Sequence, residues 1–274
     1  MVYIFAAHKG EVEHLIKKLS LGKRKTSFPF LQYGGEEILL TITGQGQINA
    51  SVSVAATLQE EKAKKGDILL SLGSAALILG KNRTASEEMM GRWFWMQSLE
   101  QESTGRNFYP DLLYKPDFPE AGLITGDKIL ELDSMGNRDT VSERRGDSKE
   151  QIVSKGVSGL DNTLLYDMES AAVFQAANFY LAPEDFFFLR CVTDFGVSPD
   201  EEKVPFSPLS RQERMQALLQ KEEDKVLRFI GFLQEKSKER RKEEEGELAF
   251  RQQLQSLSES LHCSFVMVKQ LERL

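Results

Sequence analysis

Met1-Val-Tyr-Ile-Phe-Ala-Ala-His8-Lys-Gly-Glu11-Val12 is the stretch on which the fold turns. Val2 to Ala7 is an unbroken apolar run of β-formers, the pattern of a strand covered on both faces. The pattern then changes. Val12, Leu15, Ile16 and Leu19 recur at helical spacing between Lys9 and Ser20, which predicts a helix with one apolar face. A buried strand, a short turn and an amphipathic helix are the opening of a parallel α/β fold. The apolar run is too short to cross a bilayer. It lacks the basic start and longer apolar core of a secretory leader. A strand that begins the fold is the better reading.

Working outward, the same alternation continues. Phe28 to Tyr33 and Glu37 to Thr43 flank Gly34-Gly35, a hairpin signal. Gly44-Gln-Gly46 leads into a helical stretch, Ile48 to Glu60, rich in small residues. Ile68 to Leu72 reads as a short strand with Gly73-Ser74-Ala75-Ala76 directly after it. Ala121 to Thr125 is another strand, closed by Gly126-Asp127. Leu164 to Tyr166 leads into a helix over Met168 to Tyr180, and Phe186 to Val192 is a strongly apolar strand ending at Thr193-Asp194. Short strands alternating with helices predict an α/β chain with a mostly parallel or mixed central sheet. Ligands of such sheets sit at the carboxyl ends of strands, where Gly44, Gly46, Ser74, Asp127 and Asp194 fall.

Two stretches resist assignment. Residues 81–118 hold Trp93-Phe-Trp95, of which Trp93 to Gln97 reads as a strand. The two tryptophans read as core or subunit-interface residues, with ligand stacking as the alternative. The polar segment 133–159 reads as a loop or lid with a short helix. From Ser210 the chain is helical in character. Met215, Leu218, Leu219, Val226, Ile230 and Leu233 form one apolar stripe; Leu254, Leu257, Leu261, Phe265 and Val268 form a second. The charge run Glu235 to Glu247 between them reads as a solvated helix.

At 274 residues the chain is long enough for one large domain, with or without an appendage. A formal charge of −7 gives no reason to expect nucleic acid or an anionic membrane as partner. Two cysteines, Cys191 and Cys263, make no disulfide framework and fit a reducing, cytoplasmic compartment. Three histidines, His8, His14 and His262, and those cysteines offer no metal-ligand spacing. Gly44-Gln-Gly46 is too short for a dinucleotide fingerprint, and no Walker-type loop appears. No metal or cofactor is expected.

Four segments carry a resemblance: Ala6-Ala-His-Lys-Gly-Glu11-Val12, Gly73-Ser74-Ala75, Asp167-Met168-Glu169-Ser170-Ala-Ala and Arg190-Cys-Val-Thr-Asp194. Thr43-Gly44-Gln-Gly46 and Gly122-Leu-Ile-Thr-Gly-Asp127 support them. In this order the chain resembles the nucleoside phosphorylase/nucleosidase superfamily, nearest to the methylthioadenosine/S-adenosylhomocysteine nucleosidases. The resemblance spans residues 1–235 with lapses over 81–118 and 133–162. It implies a three-layer phosphorylase/hydrolase-like fold: a mixed central sheet flanked by helices, as a domain over 1–235, followed by a helical extension over 236–274. It implies cleavage of the N-glycosidic bond of a purine-type nucleoside by a homo-oligomer, a dimer or hexamer.

The chemistry needs an acid at the departing base, a group that orders the sugar hydroxyls and a positioned water. By the resemblance, Asp194 is the acid, a role that requires a carboxyl still protonated near neutrality, and Ser74 orients it. Glu169 binds the ribose hydroxyls and Met168 packs on the sugar face. Glu11 polarises the water. Arg190 matches an arginine near the nucleophile, with a structural salt bridge as its equal alternative. His8 falls at the ribose edge, although a lone histidine is more often structural. Gly46 falls at the substrate, and Ile129 and Leu130 pack on the base. Each acid also has a plainer reading: a turn cap for Asp194, helix-start acids for Glu169 and Glu11.

Phosphorylases of the superfamily carry an arginine three residues before the Gly-Ser serine and another after the first strand. Here those places hold Ser71 and the acidic His8-Lys-Gly-Glu11 loop. An acid repels phosphate and suits water, which favours hydrolysis. Phosphorolysis and a nucleoside-binding protein without turnover are the competing readings. Two departures bear on substrate: Lys128-Ile129-Leu130 stands where the nucleosidases place a stacking phenylalanine, and Ala76-Leu77 replaces a Gly-Gly pair. Trp93, Phe108 or Tyr109 are candidates to complete the base pocket.

Overall fold

The computed structural model describes residues 1–26, 28–78, 87–110, 114, 116–130, 163–196 and 211–260. In chain order the elements are β1 (Val2–Ala6), α1 (Lys9–Lys18), β2 (Gly22–Lys23), β3 (Leu31–Gly34), β4 (Ile38–Ile42), α2 (Gln47–Glu60) and β5 (Ile68–Leu77). Then follow β6 (Trp93–Gln101), β7 (Arg106–Phe108), β8 (Glu120–Thr125), β9 (Leu164–Asp167), α3 (Ser170–Ala177), β10 (Phe186–Asp194), α4 (Arg211–Leu219) and α5 (Glu223–Ser260). The expected lid over 133–159 and the apolar positions Leu261, Phe265 and Val268 lie outside the described residues.

The strands form one mixed sheet in the order β10-β6-β8-β9-β5-β1-β4-β3-β2, and β10 also pairs with β5. That extra pairing closes β5, β10, β6, β8 and β9 into a ring. β1, β4, β5 and β10 run parallel; β6 and β9 join β10 and β5 antiparallel. The hairpin expected around Gly34-Gly35 is present as β3 and β4.

Alternation along the strands sorts the core into two layers. Val2, Ile4 and Ala6 pack with Val12 and Leu15 of α1 and with Leu219, Val226, Ile230 and Leu233 of α4 and α5. Tyr3 and Phe5 face the other way, onto Ala50, Val54 and Leu58 of α2 and Ala172, Val173 and Phe174 of α3. Because both faces are covered, the strands read as continuous apolar runs. Each buried Leu, Ile or Phe contributes about 1.5–3 kcal/mol of transfer free energy.

Two expectations change at this level. β5 does not end at Leu72; it runs ten residues, through Gly73-Ser74 to Leu77. Its first half pairs with β1, its end with β9, and β10 follows it from Leu69 to Ala76. These remote partners hold extended a segment whose Gly and Ser read locally as a turn. The unassigned stretch before 118 supplies core strands: β6 continues past Gln97 to Gln101, and Trp93 and Trp95 are both buried in the core. The helix α5 runs without a break through residues 235 and 236. It is tied down beyond that point: Ser237 donates to Gly66 (2.8 Å), Arg240 pairs with Asp185, and Arg241 pairs with Asp67. Among the described residues no helix is long and apolar enough to cross a membrane.

Candidate functional site

The carboxyl end of β1, the middle of β5 and β10 and the first turns of α1 and α3 surround a recess of about 260 Å³, counted with its open mouth. Glu11, Ser74, Glu169 and Arg190 line it, together with Ala7, Thr43, Ser71, Gly73 and neighbouring apolar residues.

Glu11 is in the first turn of α1 and only 3% exposed. Its Oε2 accepts the His8 N–H (3.0 Å), and its Oε1 accepts both the Ser74 N–H (2.8 Å) and the Ser74 hydroxyl (2.7 Å). Three donors fix the carboxylate and leave about one of its four lone-pair sites free at the recess that it lines. The absence of a side chain at Gly73 permits this approach, since a Cβ there would stand 3.3 Å from Glu11 Oε1.

Glu169 enters from the opposite side, at the N-cap of α3. Its Oε1 accepts the Gly46 N–H at 2.7 Å. Gly46 has φ of 91°, a left-handed conformation in which a side chain would be strained. Burial pushes the Glu169 carboxyl up to about 7; the Asp167 charge and, more weakly, Glu11 act the same way, against the Gly46 N–H and Arg190. Met168, beside it, accepts a hydrogen bond from the Gln45 amide at 3.3 Å.

Arg190 is 2% exposed and fully committed. Its Nε donates to Asp167 Oδ2 (2.9 Å), Nη1 to the carbonyls of Ser71 (3.0 Å) and Leu189 (2.9 Å), and Nη2 to the hydroxyls of Ser71 (2.9 Å) and Ser170 (2.6 Å). Of the two readings open for Arg190, the buried ion pair is the one present.

Asp194 stands at the end of β10, opposite Ala76 of β5. Its oxygens accept the Gly196 N–H and the Thr193 hydroxyl, both at 2.9 Å. It therefore shapes the turn after β10 and is not among the residues lining the recess. The expected Ser74–Asp194 contact is replaced by the one from Ser74 to Glu11, because Ser74 pairs in register with Cys191, short of the strand end. Leu130 is buried and lies against Gly196, whereas Ile129 is half exposed. His8 is exposed, and its backbone rather than its ring holds Glu11. Of the candidates for the base pocket, Trp93 is in the core, Phe108 packs on Phe174 with ring centroids 5.2 Å apart, and Tyr109 is exposed.

Sequence reasoning assigned no role to Asp167, Thr125, Ser170 or Ser71, which bind Arg190 or one another behind Glu169. A signal was present: an arginine inside an otherwise apolar strand requires a buried acid, and Asp167 stands two residues before Glu169. Among the described residues no cluster of His, Cys, Asp or Glu gathers as a metal site.

The sequence matches no family model and no curated protein. Solved structures are similar in fold. A Streptococcus pyogenes S-adenosylhomocysteine nucleosidase in complex with 5-methylthiotubericidin superposes with a TM-score of 0.58 at 17% identity, over 85% of this chain and 96% of that one. The 5′-methylthioadenosine/S-adenosylhomocysteine nucleosidase of Neisseria meningitidis, with methylthio-immucillin-A, gives 0.54 at 20% over 80% and 95%. The 5′-methylthioadenosine nucleosidase of Arabidopsis thaliana gives 0.56 at 19% over 85% and 95%. The chain has the fold these enzymes share.

Proposed function

We propose that the chain is an N-glycosidase that hydrolyses a purine-type nucleoside to free base and sugar. The observation that carries the reading is the pairing of Glu11 and Glu169 at one recess in which, among the described residues, the one arginine is spent. A guanidinium has five N–H donors, and five acceptors already surround Arg190. Transferring phosphate into a recess that has two carboxylates and, among the described residues, no free guanidinium is unfavourable; water meets no such barrier. The fold shared with nucleosidases solved with nucleoside-like inhibitors supports the same class of substrate.

In this reading Glu11 takes a proton from water as its oxygen bonds to the anomeric carbon. The carbon–nitrogen bond breaks, and its electron pair leaves with the base. Glu169 accepts hydrogen bonds from the sugar hydroxyls and favours the cationic sugar, with Met168 against the sugar face. Asp194, at the next strand end, is assigned to donate a proton to the departing base, which leaves as the neutral free base, with Leu130 and Ile129 packing on it. Ser74 and Arg190 are positioning residues. His8 and Gly46 contribute backbone groups that hold the two glutamates. No cofactor enters. The protein is placed in the cytoplasm, where the buried thiol of Cys191 remains reduced. Its domain is assigned to residues 1–235, with 236–274 as the extension. Exposed Ile48 and Val52 on α2 and Phe179 after α3 are assigned to contact between copies of the chain.

The test is release of free base from a panel of purine nucleosides, with and without phosphate. Release without phosphate, abolished in Glu11→Gln, is expected. Strict phosphate dependence with a sugar 1-phosphate as product would favour the phosphorylase reading and overturn this one.

A further inference from the structure

Glu169 occupies the N-cap of α3, yet its side chain makes no cap there. The first N–H groups of a helix need acceptors, and an acid at this position is well placed to supply one. Two other residues do so. Asp167 Oδ2 accepts the Ser170 N–H (3.1 Å) and the Ser170 hydroxyl (2.6 Å), and Thr125 Oγ1 accepts the Ala171 N–H (3.1 Å). Thr125 in turn donates to Asp167 Oδ1 at 2.7 Å, and Arg190 Nε holds Oδ2 at 2.9 Å. Thr125, Asp167, Ser170 and Arg190 are all buried. The orphan groups of α3 are thus satisfied from behind, from β8 and β9, and the Glu169 carboxylate is left to point at Gly46 and the recess.

We infer that Asp167 and Thr125 are positioning residues for Glu169: they cap α3 in its place, and the Asp167–Arg190 pair sets the field in which its carboxylate works. The assignment deepens the nucleosidase reading and rests on it for the role of Glu169, but its geometry does not depend on turnover. The groups facing Glu169 are Asp167 from β9, Arg190 from β10, Glu11 from α1 and the Gly46 N–H at the start of α2. With Asp167 neutral, Arg190 faces Glu169 uncompensated. Its positive charge then favours the ionised carboxylate.

The test is a titration of Glu169 itself, by NMR of protein carrying 13C-labelled glutamate carboxyls, with the resonance assigned from Glu169→Gln. In Asp167→Asn the midpoint is expected to fall by about one unit or more, while Asp167→Glu, which keeps the charge, stays at the wild-type value. An unchanged midpoint in a folded Asp167→Asn overturns the inference. Should that variant not fold, Thr125→Val decides: it changes no charge but frees Ala171 N–H and one Asp167 oxygen. Faster amide exchange at Ala171 with a moved midpoint is expected, and neither change overturns the inference. The base-release assay on wild type is separate: its failure removes the nucleosidase reading without altering these midpoints.

Discussion

At Glu169, burial outweighs the hydrogen bond from Gly46, and the neighbouring acids add to it, so the carboxyl exchanges its proton at about 7 instead of 4.5. The ionised form accepts at both oxygens, and its charge strengthens hydrogen bonds from the sugar hydroxyls. Nucleoside binding should therefore strengthen as pH rises from 6 to 8, read as a falling KM. Glu169→Gln should flatten that profile and raise KM roughly tenfold to a hundredfold, the range for hydrogen bonds to a charged group. The same shift has a stability consequence of opposite sense. Between 4.5 and about 7 the folded state binds more protons at this site than the unfolded state, so this site's contribution falls as pH rises. At pH 8 Glu169→Gln should be more stable than wild type by on the order of 2 kcal/mol in urea titration. An equally stable variant would show that the carboxyl is not held in a penalising site.

β10 is bolted to its surroundings by one side chain. Arg190 reaches Ser71 on β5, Asp167 on β9 and Ser170 on α3, so three elements meet at a guanidinium. Arg190→Met fills the space but leaves the Asp167 carboxylate buried without a counter-charge. Loss of one partner of such a pair costs about 3–5 kcal/mol. The denaturation midpoint should fall accordingly, with the slope unchanged. A loss under about 1 kcal/mol would show that water or a shifted side chain neutralises Asp167. β5 has the complementary task. By remaining a strand through Gly73 and Ser74 it presents a backbone N–H and a hydroxyl to the same Glu11 oxygen.

Across the molecule, the two acids of the recess lie at one end of the parallel strands, and α5 is fastened at the other. Asp67, just before β5, and Asp185, just before β10, are both 2% exposed and take Arg241 and Arg240 as partners. Lys238 reaches Glu37 before β4 at 3.5 Å. From Lys242 the helix is mostly exposed. Shortening the chain to residues 1–235 should strand Asp185, leave Asp67 to the Met1 ammonium, and lower the melting temperature by on the order of 10 °C. Shortening it to 1–247 keeps both pairs and should melt as wild type. Equal melting of the two shortened chains would place the anchor elsewhere.

Local sequence determined what depends on near neighbours. Short apolar runs marked β1, β4, β8 and β10, helical spacing marked α1, and Gly44, Gly46, Ser74, Asp127 and Asp194 read as strand-end residues, with Glu11 and Glu169 added by the resemblance. The tertiary structure alone decided what depends on hydrogen-bond partners distant in the chain. It carried β5 through a glycine and closed the sheet between β5 and β10. It gave Ser74 to Glu11, left Asp194 with its own turn, spent Arg190 on Asp167 and continued α5 past residue 235. A side chain's partner is set by the register of strands whose pairing no short stretch specifies. Residue type tells what a group can do; the fold determines which group it meets.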